Sequence, residues 1–571
     1  MKKIYKHLLA IFVPLVLLFL AWHRMGFYYS TNDDRCLTEL LAGIVTMQPD
    51  AHLVYVNYLL SLPLSLLYKI TTAIPWFGIC LVLFYYLSYV FVLESAYARS
   101  KNIFEDFVFT VVIAFFFLSS FYLVGQMTYT AIAAFVAVAG YVALLLHPKK
   151  KIGLTFFIIL EAFAFLLRNQ AMLMIAPLGL AIVCMYILAS NFSTWKANLL
   201  QCLRYVGIVL AIVVIGFLGN RLGYLGENWT TYEEFNDART TLCDYTDFPP
   251  YDEVKDILDK HGVSQAAYEG FAGYTILNYD ISVECLSEIA EYAKSTSTNG
   301  LSFTDALKEL YSISTEENTL DYYHMNKVLL LTLVCVFLYI LLSGSFKMLL
   351  PFAALFLAKN VVWIYLVMAG RYPQRVTIPL MISETFLLIA IAFMTYVSSK
   401  KGKNPVAILR LSTLLVIVLL FCKTSYTNGQ MQYRDIKRIN EGQKAFITGL
   451  CEMTDYCNQN PDNKYIVETA SLRWYSGSVF ETSIFEPRNY VIAGGWFSNM
   501  PCVLEKNEAY FEDSSDGFHL IIYSDGEEMQ HSSVYYLAEL SDSTPKIVDT
   551  FTASHGGVYS VIYFDGELKI N

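Results

Sequence analysis

Charge is what this sequence has least of. Of its 571 residues only 16% are Asp, Glu, Lys or Arg, against about 25% in soluble domains. That deficit excludes a large soluble enzyme. The chain has no strongly basic domain, so nucleic acid is not expected as a partner. It also lacks the glycine-rich phosphate loop, the dinucleotide fingerprint, HExxH, GxSxG and zinc-finger spacing. There is no fixed-period repeat, no low-complexity tract and no visible inverted repeat of the transporter kind. The cysteines number 11. Cys80, Cys184, Cys202 and Cys335 fall in or beside apolar runs, where cysteine is a small packing residue. Cys243, Cys285, Cys451, Cys457 and Cys502 are the set from which an external disulfide would be drawn.

What fills the chain is apolar: 56% hydrophobic and 15% aromatic residues, with a mean hydropathy of +0.44. Runs near 20 residues long have the length of a membrane crossing, and short cytoplasmic loops concentrate Lys and Arg. Lys2, Lys3 and Lys6 precede the first run, 8–27, which reads as an uncleaved signal anchor with its N-terminus inside. The run 52–70 carries Asn57 and Pro63. Arg99 and Lys101, expected inside, allow only one crossing after Asp34, so 52–70 is expected to lie at the interface or re-enter rather than span. The basic clusters at 147–151 and 398–403 then fix an alternation of about eleven spans.

Two polar stretches remain, both on the outer face by that alternation. Residues 223–326 are acid-rich and helix-patterned, too long for a plain loop. Residues 423–571 open with a charged helix and continue with strand-like runs at 464–469, 519–523, 546–551 and 557–564, the mark of an α/β or α+β domain. The expected organisation is thus an α-helical polytopic membrane protein divided at 1–222, 223–326, 327–422 and 423–571. It would sit in the cell membrane with its N-terminus cytoplasmic and its C-terminal domain extracytoplasmic.

The candidate chemistry starts at Asp33 and Asp34, directly after the first span. A carboxylate there can take a proton from an acceptor hydroxyl or ligate a divalent cation such as Mg or Mn. The competing reading is helix capping, because Asn32-Asp33-Asp34 precedes the apolar-periodic Leu37, Leu40 and Leu41. The two roles are compatible if one Asp caps and the other faces the site. Arg168, with Gln170 beside it, and Arg371 and Arg375 fall at outer helix ends. There they suit a lipid-linked phosphate or merely anchor helices among headgroups. His52 flanks a substrate or caps the interfacial segment. Glu161, Lys359 and Glu384 lie inside spans; pairing of Lys359 with one glutamate is preferred over an ion pathway. Gly494-Gly495-Trp496 reads as a tight turn with a buried indole, or as a sugar-stacking platform.

A signal-anchor helix, an acidic pair in the first external loop, an interfacial segment, many spans and an external C-terminal domain resemble the GT-C fold of integral-membrane glycosyltransferases. More narrowly, Thr31-Asn32-Asp33-Asp34, Gln48-Pro49-Asp50-Ala51-His52 and Gly370-Arg371-Tyr372-Pro373-Gln374-Arg375 look like a group of Gram-positive polytopic proteins of cell-surface polysaccharide assembly. The likeness covers roughly residues 1–400. It implies a polyprenyl-phosphate sugar as donor, a cell-envelope glycan or lipid as acceptor, and Asp33 or Asp34 as base or metal ligand. The pair departs from the family's isolated or separated acids, leaving open which one reacts. The alternatives are a polysaccharide exporter or lipid-carrier flippase using Glu161, Lys359 and Glu384, and a non-enzymatic assembly scaffold.

Overall fold

The computed structural model describes residues 2–190, 194–273, 281–297, 301–315, 325–399, 406–472, 476–482, 489–512 and 516–568. The basic residues expected at 400–403 lie outside these. Helix α1 (Lys2–Met25) is followed by the short strand β1 (Tyr28–Tyr29), α2 (Asn32–Ala42) and α3 (Tyr58–Ile70). Next come α4 (Trp76–Arg99), α5 (Ile103–Ser119), α6 (Tyr122–Gly125) and β2 (Gln126–Met127). The first bundle is completed by α7 (Tyr129–Leu146), α8 (Lys150–Leu167), α9 (Asn169–Ser190) and α10 (Trp195–Gly223).

Among the described residues, eight helices are long and apolar enough to cross a membrane. They leave large apolar side chains bare, for example Leu15, Phe19, Leu218, Leu338 and Leu357, and a belt of that kind needs lipid rather than water. Helix α7 is buried all round because Ala131, Ala133, Ala134, Ala137 and Gly140 let neighbours approach closely. The run expected to span 104–125 is divided: α5 stops at Ser119 after 17 residues, and a turn at Ser120 leads into α6. Helix α3 has 13 residues, about 20 Å, too short to cross. It leaves Leu59, Leu62, Leu66 and Ile70 exposed on one face. At the opposite end of the bundle Lys6 bonds the Tyr97 carbonyl at 2.8 Å, and Arg99 donates to the last carbonyls of α7, Leu145 and Leu146. A cation there caps the negative helix end.

The insertion is helical, as its pattern predicts: α11 (Glu227–Thr240), a π-helical turn (Thr241–Tyr245), α12 (Tyr251–His261), α13 (Gln265–Ala272), α14 (Val283–Thr296) and α15 (Phe303–Thr315). Helices α16 (Met325–Ser343), α17 (Leu349–Met368) and α18 (Gln374–Ser399) return to the bundle. Helix α19 (Val406–Gln459) then runs 54 residues without a break. It carries the chain from an apolar segment into the C-terminal domain, so the polarity change near Lys423 is not a structural boundary. Buried amides tie it down: Asn440 bonds Gln126 and the Met25 carbonyl, and Gln432 bonds Tyr122 N and Ser119 O.

The C-terminal domain holds the four expected strands plus one more: β3 (Tyr465–Glu468), β4 (Tyr490–Ala493), β5 (Phe518–Tyr523), β6 (Lys546–Thr552) and β7 (Val558–Phe564), with α20 (Pro501–Phe511) and α21 (Ser532–Ser541). The sheet order is β4-β3-β5-β7-β6. Strands β3, β4 and β5 are parallel, and β7 and β6 complete the sheet antiparallel. Arg35 of α2 grips this domain through the carbonyls of Glu481 and Thr482 while pairing with Glu39 at 3.0 Å. Among the described residues no cysteine forms a disulfide.

Candidate active site

The two aspartates part company. Strand β1 pairs in parallel with β2, which sets the start of α2 against the start of α7. Asp34 is fully buried there. Its Oδ1 accepts the Tyr129 N–H at 2.7 Å and its Oδ2 accepts the Thr31 hydroxyl at 2.8 Å. Burial pushes its carboxyl up to about 8, against the lowering effect of those two hydrogen bonds. Asp34 thus holds the first N–H of α7, while the N-cap position of its own helix is Thr31. Asp33, one residue back around the helix, faces a cavity. Its Oδ1 accepts the Trp496 indole N–H at 3.2 Å and its Oδ2 lies 3.6 Å from Arg375.

The cavity has a volume of about 1450 Å³. Its polar wall is formed by α2, the 54–57 loop, the start of α9, α11 with its π-helical turn, and the loop before α18. Residues following β3 and β4, including Thr469, Gly495 and Trp496, form the roof. That is the carboxyl end of the parallel strands, where open α/β sheets commonly bind ligands. Leu173, Phe217, Val361 and Tyr365 also line the cavity, and all four are exposed. The space therefore combines a polar, arginine-bearing wall with an exposed apolar one.

Of the arginines, Arg168 lies over the Tyr55 ring at 5.2 Å and the Tyr129 ring at 5.5 Å, and donates to Gln170 at 2.7 Å. Arg375 reaches Asp33. Arg371 stands further round the wall, 3.4 Å from the Asp244 carboxylate and 4.3 Å from the centre of the Tyr245 ring. All three line the cavity, as does Gln170. His52 does not. Its ring is stacked on Trp229 at 4.2 Å, with Nδ1 on Asp50 at 2.7 Å and Nε2 on the Gly223 carbonyl at 2.9 Å. It pins the loop that precedes α3 against the end of α10. Asn57 does likewise through the Gly216 carbonyl. At Gly223 a Cβ would lie 2.2 Å from the Tyr58 ring, so only glycine admits this approach.

Sequence reasoning missed Arg239 and Tyr55. Arg239 is buried in α11 and bonds Asn236, Thr240 and the Tyr55 hydroxyl. Nothing in the string Leu53-Val54-Tyr55-Val56 marks it; only a backbone angle does, since Val54 has φ of 59°. Trp496 is a buried turn residue, as one of its two readings holds, with Gly494 and Gly495 at positive φ, yet it also touches Asp33. Lys359 and Glu384 pair at 3.5 Å, and Trp363 donates to the same carboxylate at 2.7 Å. Neither they nor Glu161 line the cavity.

The Asp33–Asp34 pair does not suit a resident divalent cation. Both Asp34 oxygens are committed, and Asp33 already faces a guanidinium that would repel one. Among the described residues no group of three or more His, Cys, Asp or Glu side chains converges. No protein-family model, curated protein or solved structure matches this chain.

Proposed function

We propose that this protein is a membrane glycosyltransferase that moves a sugar from a polyprenyl-phosphate carrier to an extracytoplasmic cell-envelope acceptor. One observation carries the reading: a single cavity holds a solvent-facing carboxylate, Asp33, among arginines on one wall and exposed apolar side chains on another. A lipid-borne phosphate needs both at once. Arg168, Arg371 and Arg375 are the phosphate ligands, with geometry suited to oxyanions. Asp33 is the general base. The acceptor oxygen bonds the anomeric carbon as the carbon–oxygen bond to phosphate breaks. The electron pair leaves with the phosphate, and the acceptor proton passes to Asp33. Arg375 faces Asp33 until the phosphate arrives, then has a second anion to bind.

In this reading the eight long apolar helices, α5, α8 and the first part of α19 make about eleven crossings. The N-terminus is cytoplasmic, and the insertion and C-terminal domain are external. The exporter alternative draws no support from the cavity, which bypasses Glu161, Lys359 and Glu384.

The test is Asp33→Asn with mass spectrometry of surface glycans. Loss of a modification present in wild type, at equal membrane abundance, is expected; glycans identical to wild type would overturn the assignment.

A further inference from the structure

Tyr55 sits where the cavity walls meet, and its backbone is strained to put it there. Val54 adopts φ of 59°, which a β-branched residue rarely does. The Tyr55 N–H closes back on the Leu53 carbonyl at 2.5 Å, a tight three-residue turn of the costly kind. The Val54 N–H is held by the Tyr224 hydroxyl at 2.8 Å, and His52 and Asn57 fasten the segment on either side. Strain of this kind persists only where surrounding structure enforces it, and it concentrates at ligand sites.

The turn delivers an aromatic hydroxyl with an unspent proton. The Tyr55 oxygen accepts from Arg239 at 3.1 Å, which turns its own hydrogen away from the guanidinium. Among the described residues no group accepts that hydrogen, and the side chain lines the cavity. Burial raises the phenol above its ordinary value, so it stays protonated and acts as a donor, never as a base. Trp496 fixes the ring edge-on at 4.9 Å. Arg168 covers one face at 5.2 Å, and no carboxylate among the described residues lies within 4 Å of that guanidinium. A neutral donor beside an uncompensated cation fits an anionic oxygen better than a sugar hydroxyl.

We propose that the Tyr55 hydroxyl is a direct ligand of the substrate's phosphate, with Arg239 as its positioning residue. This rests on the transferase reading above and deepens it. The chemistry recognised is a phosphate oxygen, whether lipid-borne or free.

The test titrates the purified full-length protein in detergent with farnesyl phosphate, farnesol and inorganic phosphate, comparing wild type with Tyr55→Phe. The variant keeps the ring and removes only the oxygen. Wild type is expected to bind farnesyl phosphate most tightly. Tyr55→Phe should weaken that binding about tenfold, the scale of a hydrogen bond to a charged group, while leaving farnesol affinity and melting temperature unchanged. Equal affinity of the two proteins for farnesyl phosphate overturns the role of Tyr55 and leaves the transferase reading standing. Wild type binding farnesol as well as farnesyl phosphate overturns both. Inorganic phosphate bound as tightly as the lipid, and weakened by the substitution, keeps the Tyr55 contact but removes the lipid carrier.

Discussion

Asp33 and Asp34 are chemically identical neighbours given opposite environments. One faces the cavity beside Arg375 and an indole N–H. The other is sealed between two helix starts, where desolvation outweighs two hydrogen bonds and raises its carboxyl to about 8 from 3.8. The consequence for stability has a definite sign. The folded chain keeps a proton on Asp34 that the unfolded chain releases above about pH 4, so the fold binds more protons across that interval. Stability should be greatest below about pH 4 on this account and fall as pH rises to about 8. Thermal unfolding of the detergent-solubilised protein between pH 5 and 8 measures it. Asp34→Asn, which cannot titrate, should flatten the slope; an unchanged slope would place the proton elsewhere.

Among the elements, contact depends on where a helix can come close. The first turn of α4 meets the 476–482 segment of the C-terminal domain at Gly78, where a Cβ would lie 2.0 Å from the Val479 carbonyl oxygen. That segment also pairs with β1, the Tyr29 N–H donating to the Gly477 carbonyl at 2.9 Å, and supplies the carbonyls that Arg35 grips. Gly78→Ala should therefore force backbone apart and destabilise the protein by about 1–3 kcal/mol, the usual cost of overpacking. The same change at Gly207, where a Cβ meets nothing within 4 Å, should leave the melting temperature unchanged or raised, since alanine favours the helix. Comparable losses at both positions would remove the close-approach explanation.

At the scale of the molecule, the insertion and the C-terminal domain occupy one side of the bundle. The buried Tyr232 hydroxyl of α11 donates to the Trp496 carbonyl at 2.8 Å, and the residues after β4 roof the same cavity that α11 walls. Two domains in such contact must share a compartment. Single cysteines placed at Glu227 and Glu527, both exposed, should therefore label together with an impermeant maleimide on intact cells, whereas one at Lys150 should label only after permeabilisation. Labelling of Lys150→Cys alone would invert the proposed orientation.

What the sequence determined by itself was the membrane character and the order of the parts. Length and apolarity of a run, and the periodicity of a strand or helix, are local properties that burial in lipid or in a sheet must satisfy whatever the neighbours are. The helical insertion at 223–326 and four strands of the terminal sheet were legible for that reason, whereas β4 (Tyr490–Ala493) was not among the expected runs. Tertiary structure alone decided which carboxylate faces the cavity. Asp33 and Asp34 differ by about 100° around one helix, and it takes α7, Trp496 and Arg375, distant in the chain, to bury one and expose the other. Tyr55 and Arg239 were illegible for the same reason: a hydroxyl becomes a binding group only when residues 184 positions apart meet, and composition carries no record of that meeting.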